Sequence, residues 1–417
     1  MTAVGAETAE SSGRKSLVRS GLIVAAAIFV TNILNAAFNV VMAHMLRPEE
    51  YSLLAALFAI VLIVNVPTLA IQAGVARDVA RLRKVGGGSG TAVLRGALQA
   101  VARWEAVVLV AGALGAYPLI RLVHIQHPWP VIATVVVACV SMLVPIGWGV
   151  LQGQERFLAL GLSQFVLALL KLAGGVALAA LGLGVAAVMF GLAAATAVAV
   201  VLTYVLVRGR GGTRDEEQLE RRGLLRYSSD AALMITLFAA LTYADLLVAR
   251  VSLPHREAGM YAAVSIASRV VFLIANIATT VLFPRVAALA DAAREREHLL
   301  FGLGAVTIVG AASCVVAFLL ARPLVVHGLG AKYAGAVPWL GWLTLAMLLF
   351  ALVAVFQAHF LALGRARYTT ILAGGLALEV ALFAVFHGSA RELIADQLVT
   401  GAAIVVASEL YDRLTRA

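Results

Sequence analysis

The amino-acid sequence predicts an all-α polytopic membrane protein with about twelve transmembrane helices in two six-helix lobes. Three observations predict this fold class: an apolar composition, a series of apolar stretches of membrane-spanning length, and motifs that recur in the two halves of the chain. Hydrophobic residues make up 62% of the 417 residues, and charged residues make up only 13%. That much apolar surface exceeds what the core of a water-soluble protein could bury, so the composition indicates a membrane protein.

Apolar stretches of about 20 residues, the length that crosses a hydrocarbon core about 30 Å thick as a helix, recur along the whole chain. Helices are the expected form, because lipid offers backbone groups no hydrogen-bond partners and the strands of a barrel would alternate in polarity. The twelve predicted spans are 17–45, 53–75, 97–123, 130–151, 158–181, 185–207, 229–250, 259–284, 299–321, 335–362, 368–387 and 390–409.

The 32 Lys and Arg residues are distributed unevenly over the predicted loops. Loops on the side of the N-terminus hold 22 of them, the opposite loops hold 7, and Arg103, Lys171 and Arg269 lie within spans. By the positive-inside rule, both termini are expected in the cytoplasm. This bias and contact with anionic membrane lipids account for the net charge of +10, so no nucleic-acid partner is expected.

The spans divide the chain into two lobes joined by a linker. Neither the linker nor any loop contains a Walker motif, a zinc-ligand spacing or a nucleophile elbow, so no catalytic residue, metal or cofactor is expected and the protein is not predicted to be an enzyme. The predicted parts are a cytoplasmic tail at 1–16, the N-lobe at 17–207, a cytoplasmic linker at 208–228, the C-lobe at 229–409 and a cytoplasmic tail at 410–417.

Short motifs recur in corresponding places of the two halves. LQGQERF at 151–157 and ALGRARY at 362–368 both contain Gly-x-x-Arg followed by an aromatic residue, with an offset of 211 residues. The predicted outer turns RPEEYSLLAA at 47–56 and LPHREAGMYAA at 253–263 also correspond. Because each half has six spans, the two copies enter the membrane from the same side, so a pseudo-twofold axis along the membrane normal is expected to relate the lobes.

Polar side chains follow one face of each of the first two predicted helices. Such a stripe can form hydrogen bonds between helices, each worth about 0.6–2 kcal/mol, or it can line a water-filled cavity. The cavity is favoured for the two stripes taken together, because two neighbouring helices repeat one spacing. The stripes are Asn32, Asn35 and Asn39 on the first helix, and Asn65, Thr68 and Gln72 on the second.

Two cations lie deep within predicted spans, one in each lobe. A charge at mid-bilayer costs about 2.5–3.5 kcal/mol on insertion scales, so such a residue usually faces a cavity or a partner. Lys171 shares a helix face with Gln164, and Arg269 shares one with Ser265 and Asn276. Together the two cations are suited to clasp a diphosphate, with these polar residues lining the same substrate cavity.

Two acids, Asp245 and Glu379, lie within predicted spans of the C-lobe. Either of them can form a salt bridge with Arg269. Alternatively, the two acids form a protonation or cation site that couples transport to an ion gradient. His359, near the end of the tenth predicted span, is expected to be an interfacial residue.

Four segments carry a family resemblance: LRPEEYS at 46–52, LQGQERF at 151–157, the run at 243–287, and the run from YAGAVPW to GRARY at 333–368. In order and placement they resemble the Wzx-type polysaccharide flippases ("polysaccharide biosynthesis protein") of the multidrug/oligosaccharidyl-lipid/polysaccharide (MOP) exporter superfamily. The chain departs from the family at Ser52, where glycine is usual, whereas the second copy keeps Gly259. Twelve spans also differ from the fourteen of a typical peptidoglycan lipid flippase.

The resemblance implies a flippase that moves an undecaprenyl-diphosphate-linked oligosaccharide to the outer leaflet by alternating access, for O-antigen, lipopolysaccharide or other cell-surface polysaccharide. Its implied partners are the lipid-linked oligosaccharide, a polysaccharide polymerase and glycosyltransferases. A drug or cation antiporter of the same superfamily is an alternative, and it would favour a cavity dominated by acids and aromatic residues. A membrane enzyme acting on polyprenyl-linked glycans is a weaker alternative, because no predicted external loop is long enough for a catalytic domain.

Overall fold

A computed structural model of the protein describes residues 29–84, 91–123, 127–208, 221–272 and 292–415. These residues are almost entirely helical, and no strand occurs within those ranges. The helices are α1 (Phe29–Met45), α2 (Pro48–Asn65), α3 (Pro67–Lys84), α4 (Thr91–Leu122), α5 (Trp129–Gly153), α6 (Phe157–Ala180), α7 (Gly184–Arg208), α8 (Arg221–Ser252), α9 (His255–Ser268), α10 (Ala292–Leu319), α11 (Ala321–Val326), a 3-10 helix (Ala331–Ala336), α12 (Val337–Ala362), α13 (Tyr368–Val385) and α14 (Ala390–Leu414).

The predicted all-α membrane fold is confirmed. Within the described ranges, ten helical segments are long and apolar enough to cross a membrane, and each corresponds to one of the predicted spans. The two remaining predictions lie partly outside the described residues. The first span, 17–45, is described only from Phe29 onward, and the eighth, 259–284, only as far as residue 272.

Proline interrupts one predicted span and leaves another continuous. The predicted span 53–75 is divided into α2 and α3 at Val66, directly before Pro67. Proline has no N–H to donate to the preceding turn, and its ring clashes with that turn's carbonyl, so a break at this position is expected. Pro145, by contrast, lies inside α5 without ending the helix.

Backbone contacts divide the chain into two compact units, which within the described ranges comprise 29–41, 68–114 and 135–225 in the first and 42–67, 115–134 and 226–415 in the second. In the first unit, α5 packs closely on α3 through Gly149 and Gly153. A Cβ on these glycines would lie 2.6 Å from the Gln72 carbonyl oxygen and 2.5 Å from that of Ala76. Small residues four positions apart let helix backbones approach closely in a membrane.

The second unit is built around α12, whose Phe350, Phe356 and Phe360 are at most 2% exposed. At another place in this unit, the first turns of α2 and α9 meet, because a Cβ on Gly259 would overlap the backbone of Pro48. The predicted outer turns that contain these two residues are therefore in direct contact.

Residues of the 3-10 helix cap the C-terminal end of α1 in the second unit. Lys332 Nζ donates hydrogen bonds to the carbonyl oxygens of His44, at 2.9 Å, and Leu46, at 2.5 Å. Tyr333 Oη donates to the carbonyl oxygen of Ala43 at 3.0 Å. The last carbonyls of a helix have no partner within the helix and carry partial negative charge, so a lysine and a hydroxyl donor satisfy both needs.

The two corners of the sequence repeat share one helix-end geometry. Glu155, at φ 56°, and Gly364, at φ 66°, adopt the left-handed conformation after α5 and α12. The next residue in each corner donates its N–H to the carbonyl oxygen five residues back, Arg156 to Leu151 and Arg365 to Phe360, both at 2.9 Å. This is the Schellman arrangement.

The arginine side chains of the two corners also make similar contacts. Arg156 Nη1 donates to the carbonyl oxygen of Leu206, near the end of α7, at 2.5 Å. Arg365 Nη1 donates to Thr415 Oγ1, just past the end of α14, at 2.6 Å. The structural counterpart of Arg156 is therefore Arg365, with an offset of 209 residues rather than the 211 that the motif alignment gives.

Candidate functional site

The polar face of α1 meets a lysine of α6 within the first unit. Lys171 Nζ donates to Asn35 Oδ1 at 2.9 Å and lies 4.5 Å from the centre of the Phe38 ring. Asn39 Nδ2 donates to the backbone oxygen of Asn35 at 3.0 Å. The structure thus brings Lys171 together with Asn35 of the first predicted stripe, whereas the side-chain amide of Asn39 bonds to the backbone of its own helix. The amide oxygen and the ring face are both neutral, so these two contacts orient the ammonium without cancelling its charge.

Other predicted residues of this region have separate environments. Asn32 is exposed, and Gln164 is half-buried on α6, two turns before Lys171. Thr68 is fully buried, and Gln72 Nε2 donates to Gln152 Oε1 of α5 at 3.3 Å. Gln72 therefore makes a bond of the kind that the interhelical interpretation of the stripe predicts.

Asn65 belongs to the second unit, and its side chain forms a hydrogen bond to the backbone of its own helix. Its Nδ2 donates to the carbonyl oxygen of Val61 at 2.8 Å. Asn65 lies at the end of α2, whereas Thr68 and Gln72 lie in α3, so the second predicted stripe is divided between these two helices.

A buried ion pair joins the seventh and eighth predicted spans in the second unit. Arg269, directly after α9, donates from Nη2 to Asp245 Oδ1 of α8 at 2.9 Å and to the carbonyl oxygen of Thr242 at 2.6 Å. Asp245 Oδ2 accepts from Ser265 Oγ at 2.6 Å and from Tyr261 Oη at 3.2 Å. Asp245 is fully buried and Arg269 is 10% exposed. Of the two salt bridges left open by the sequence, the structure contains the one with Asp245.

Arg269 keeps part of its hydrogen-bonding capacity unused. Its guanidinium carbon lies 4.6 Å from the centre of the Tyr243 ring. Its Nε and Nη1 are buried and have no hydrogen-bond partner in the part of the chain that the structure describes. Asn276, predicted on the same helix face, lies outside the described residues.

Glu379 lies in a second buried polar group, formed by α13 and α14. It accepts a hydrogen bond from Gln397 Nε2 and interacts electrostatically with Asp245 and Asp396. Four oxygens of this group are buried without a hydrogen-bond partner among the described residues: Glu379 Oε2, Gln397 Oε1, Asp396 Oδ2 and Thr400 Oγ1. Buried acceptors without donors are costly, so a cluster of them indicates a place for a proton or a cation.

The sequence analysis did not single out Asp396, Gln397 and Thr400, which all lie on α14. The polar-face argument used for α1 would have found them, because they follow one another at i, i+1 and i+4 within the predicted span 390–409. Among the described residues no cluster of His, Cys, Asp and Glu is arranged to hold a metal ion.

His359 is buried in a charged network in the second unit. Its Nε2 lies 3.9 Å from Asp412 Oδ1, and Arg296 donates to Asp412 Oδ2 at 2.6 Å. Arg296 also forms a two-pronged contact with the Glu409 carboxylate, at 2.6 and 2.9 Å. The network ties the N-terminal end of α10 to the C-terminal end of α14.

Comparison with known proteins gives one family and one fold. A family model described as "Polysaccharide biosynthesis protein" matches residues 41–338. No curated protein sequence matches the chain significantly.

Solved structures of MOP-superfamily proteins share the fold at low sequence identity. An inward-facing multidrug resistance MATE family transporter has a TM-score of 0.73 at 12% identity, with 93% of this chain and 95% of that chain covered. The lipid II flippase MurJ in an inward closed conformation has a TM-score of 0.73 at 12% identity, with 94% and 87% covered. A MOP superfamily transporter from Pyrococcus furiosus has a TM-score of 0.61 at 13% identity, with 97% and 96% covered.

These structural neighbours are named as transporters and as a flippase. The ten apolar helices found within the described ranges make this a multi-pass membrane protein. Because the family model covers most of the sequence, the chain belongs to the polysaccharide biosynthesis protein family and has the fold of the MOP-superfamily transporters.

Proposed function

We propose that the protein is a flippase that moves a lipid-linked oligosaccharide, carried on undecaprenyl diphosphate, across the cytoplasmic membrane by alternating access. The observation that carries this proposal is the Lys171 cluster, in which an intramembrane ammonium is held by the amide of Asn35 and the ring of Phe38. The family membership supports it, and the lipid II flippase is among the structural neighbours. The product would supply synthesis of cell-surface polysaccharide.

The chemistry of the Lys171 cluster suits a diphosphate joined to a sugar. The phosphates carry at least two negative charges, and an ammonium binds them by charge-assisted hydrogen bonds. Asn35 and Asn39 each offer both amide donors and a carbonyl acceptor, which match phosphate oxygens and sugar hydroxyls. When cargo arrives, Lys171 exchanges the Asn35 oxygen for a negatively charged phosphate oxygen.

Arg269 has a divided role in this proposal. Its Nη2 holds Asp245, whereas Nε and Nη1 are the donors that remain for an anionic cargo. Ser265 serves by holding Asp245 in place. Of the remaining polar residues predicted for the cavity, the exposed Asn32 and the half-buried Gln164 of the first unit contribute hydrogen bonds to the sugar rather than charge.

Asp245 and Glu379 form the ion-coupling site of the proposed transport cycle. The unpartnered oxygens of Glu379, Asp396, Gln397 and Thr400 support this part of the proposal, because a proton or a cation would satisfy them. The same acids favour the second candidate function, a cation-coupled drug antiporter, since cationic drugs are attracted to buried carboxylates.

The proposed function also includes an orientation of the protein in the membrane and a set of protein partners. The excess of Lys and Arg in one set of predicted loops supports a location in the cytoplasmic membrane with both termini in the cytoplasm. A polysaccharide polymerase and glycosyltransferases would use and supply the lipid-linked oligosaccharide. Labelling from outside should then reach a cysteine placed at 255 and miss one placed at 215.

Depletion of the protein in its native cell separates the candidate functions. A flippase predicts that a lipid-linked oligosaccharide accumulates on the cytoplasmic leaflet and that surface polysaccharide falls. Wild-type protein and Lys171→Arg should restore export, and Lys171→Gln should fail at equal abundance. Arg103→Gln, which removes an exposed cation of α4, is the matched control and should export normally. Sensitivity to cationic drugs without any lipid intermediate would favour the antiporter.

A further inference from the structure

A carboxylate of the first unit lies inside a membrane span on the packed face of its helix. Glu105 belongs to the apolar segment Gly96–Gly115 of α4. It is half-buried, in line with the buried Val101 and the half-buried Val108 and Gly112, which follow it at helical spacing. The opposite faces are exposed: the exposed fractions of Val107, Val110 and Leu114 are 53%, 60% and 75%. Glu105 therefore points toward other helices rather than toward lipid.

The packed face of α4 contacts α5, and α5 in turn contacts α7. A Cβ on Gly112 would lie 2.8 Å from Val135 Cγ2, so α4 and α5 are in close contact. A Cβ on Gly147 of α5 would lie 2.5 Å from Thr203 Cγ2 and 3.8 Å from the Tyr204 ring of α7. Across these contacts, Glu105 interacts electrostatically with Cys139 of α5 and with Tyr204 of α7.

Tyr204 has a hydroxyl group that needs a partner. Its Oη is buried and makes no hydrogen bond to any residue that the structure describes. Burying a hydroxyl without a partner is unfavourable, and so is holding a carboxylate within a membrane span. Glu105 and Tyr204 interact electrostatically and lie on two helices, α4 and α7, that both contact α5. Together they indicate a binding site with its own ligand.

We propose that Glu105 and Tyr204 form a proton-binding site in the first unit, separate from the acids of the second unit. A hydronium ion transfers its proton to the Glu105 carboxylate and leaves as water, and the reverse step returns the proton. In the ionised state the Tyr204 hydroxyl donates toward the carboxylate, directly or through water. In the protonated state the carboxyl group is neutral, so no charge opposes its burial.

The other titratable groups around Glu105 do not replace Tyr204. Cys139 is the group that faces it from α5, and a thiol is a weak donor. Arg103 lies two positions earlier on α4 and is exposed, and residues two apart on a helix do not face each other. The inference does not depend on the identity of the cargo.

Carbodiimide labelling tests the site in the full-length protein in liposomes. N,N′-dicyclohexylcarbodiimide reacts with protonated carboxyl groups in apolar surroundings, and mass spectrometry locates the adduct. We expect an adduct at Glu105 that declines as pH rises. Glu105→Gln should abolish it, and Glu105→Asp should keep a pH-dependent adduct. Tyr204→Phe should move the midpoint upward by about half a pH unit or more, because the ionised form loses a donor.

Tyr117→Phe is the matched control, because Tyr117 is an exposed tyrosine of the same helix α4, and it should leave the midpoint unchanged. The absence of an adduct at Glu105 at every pH would overturn the proposal. So would a midpoint that Tyr204→Phe moves no further than Tyr117→Phe does. Protection of Glu105 by sodium, relative to choline at equal pH and ionic strength, would replace the proton with a metal cation and equally overturn it.

Discussion

Lys171 in the first unit and Arg269 in the second were predicted to have the same role, yet their surroundings differ in kind. The contacts of Lys171 with Asn35 and Phe38 are to neutral groups, whereas Arg269 holds the fully buried carboxylate of Asp245. Removing the cation from an amide and an aromatic ring leaves no charge on either of these two groups. Removing one from a buried carboxylate leaves a charge in an apolar interior. Depth in the membrane therefore identifies a charged residue as important, but its partner decides whether it serves binding or stability.

The largest effect is expected where the ion pair is broken. Arg269→Gln should lower the free energy of unfolding by about 3–5 kcal/mol, because Asp245 is left buried without its cation. Protein abundance in the membrane and the unfolding transition in detergent measure this. Arg269→Gln combined with Asp245→Asn should recover most of the loss, and a Glu379→Gln partner should recover less. Equal rescue by both partners would contradict the assignment of Asp245.

The next largest effect is expected at the contact of α2 with α9. Gly259→Ala places a Cβ against the Pro48 backbone, which cannot move aside as a side chain would. We expect a loss of about 1–3 kcal/mol, typical of overpacking. Gly304→Ala in α10, where a Cβ meets nothing within 4 Å, is the control and should be neutral or slightly stabilising. Thermal unfolding of the two variants side by side gives the comparison.

A smaller effect should distinguish the two corners of the repeat. Glu155 adopts a left-handed conformation that Gly364 adopts at the second corner, and a residue with a Cβ pays about 1–2 kcal/mol for it. Glu155→Gly should therefore stabilise the protein by up to about 1 kcal/mol, and Gly364→Ala should destabilise it by a similar amount. Unfolding measurements that show the same sign for both substitutions would contradict the shared geometry.

The smallest effect on stability is expected at Lys171, where the effect on transport is large. Lys171→Gln should change the free energy of unfolding by about 0.5 kcal/mol, the low end of what one hydrogen bond contributes, because a neutral amide can keep a contact with Asn35. Export should nevertheless fail. A loss of abundance comparable to that of Arg269→Gln would remove the contrast between the two cations and show that Lys171 is a structural residue.

The positions of the membrane spans could be predicted from the sequence, because the lipid bilayer requires an apolar segment of fixed length. The contacts between helices could not be predicted in this way. Apolar length located ten of the described segments, since lipid imposes the same requirement on every span. The choice of Asp245 over Glu379 as the partner of Arg269 depends on how α8 and α9 pack. Spacing along one helix carries no information about that packing. The two-residue difference between the corners arose for a similar reason, since the left-handed residue can be glycine or glutamate.

The cap on α1 has a consequence for biosynthesis. The donors of Lys332 and Tyr333 reach the carbonyls of His44, Leu46 and Ala43 across sequence separations of 288, 286 and 290 residues. At a synthesis rate of about 5–20 residues per second, the ribosome needs about 15–60 s to add that much chain. The C-terminal end of α1 therefore passes most of translation without its native donors, and water, lipid head groups or the insertion machinery must satisfy it until the 3-10 helix emerges.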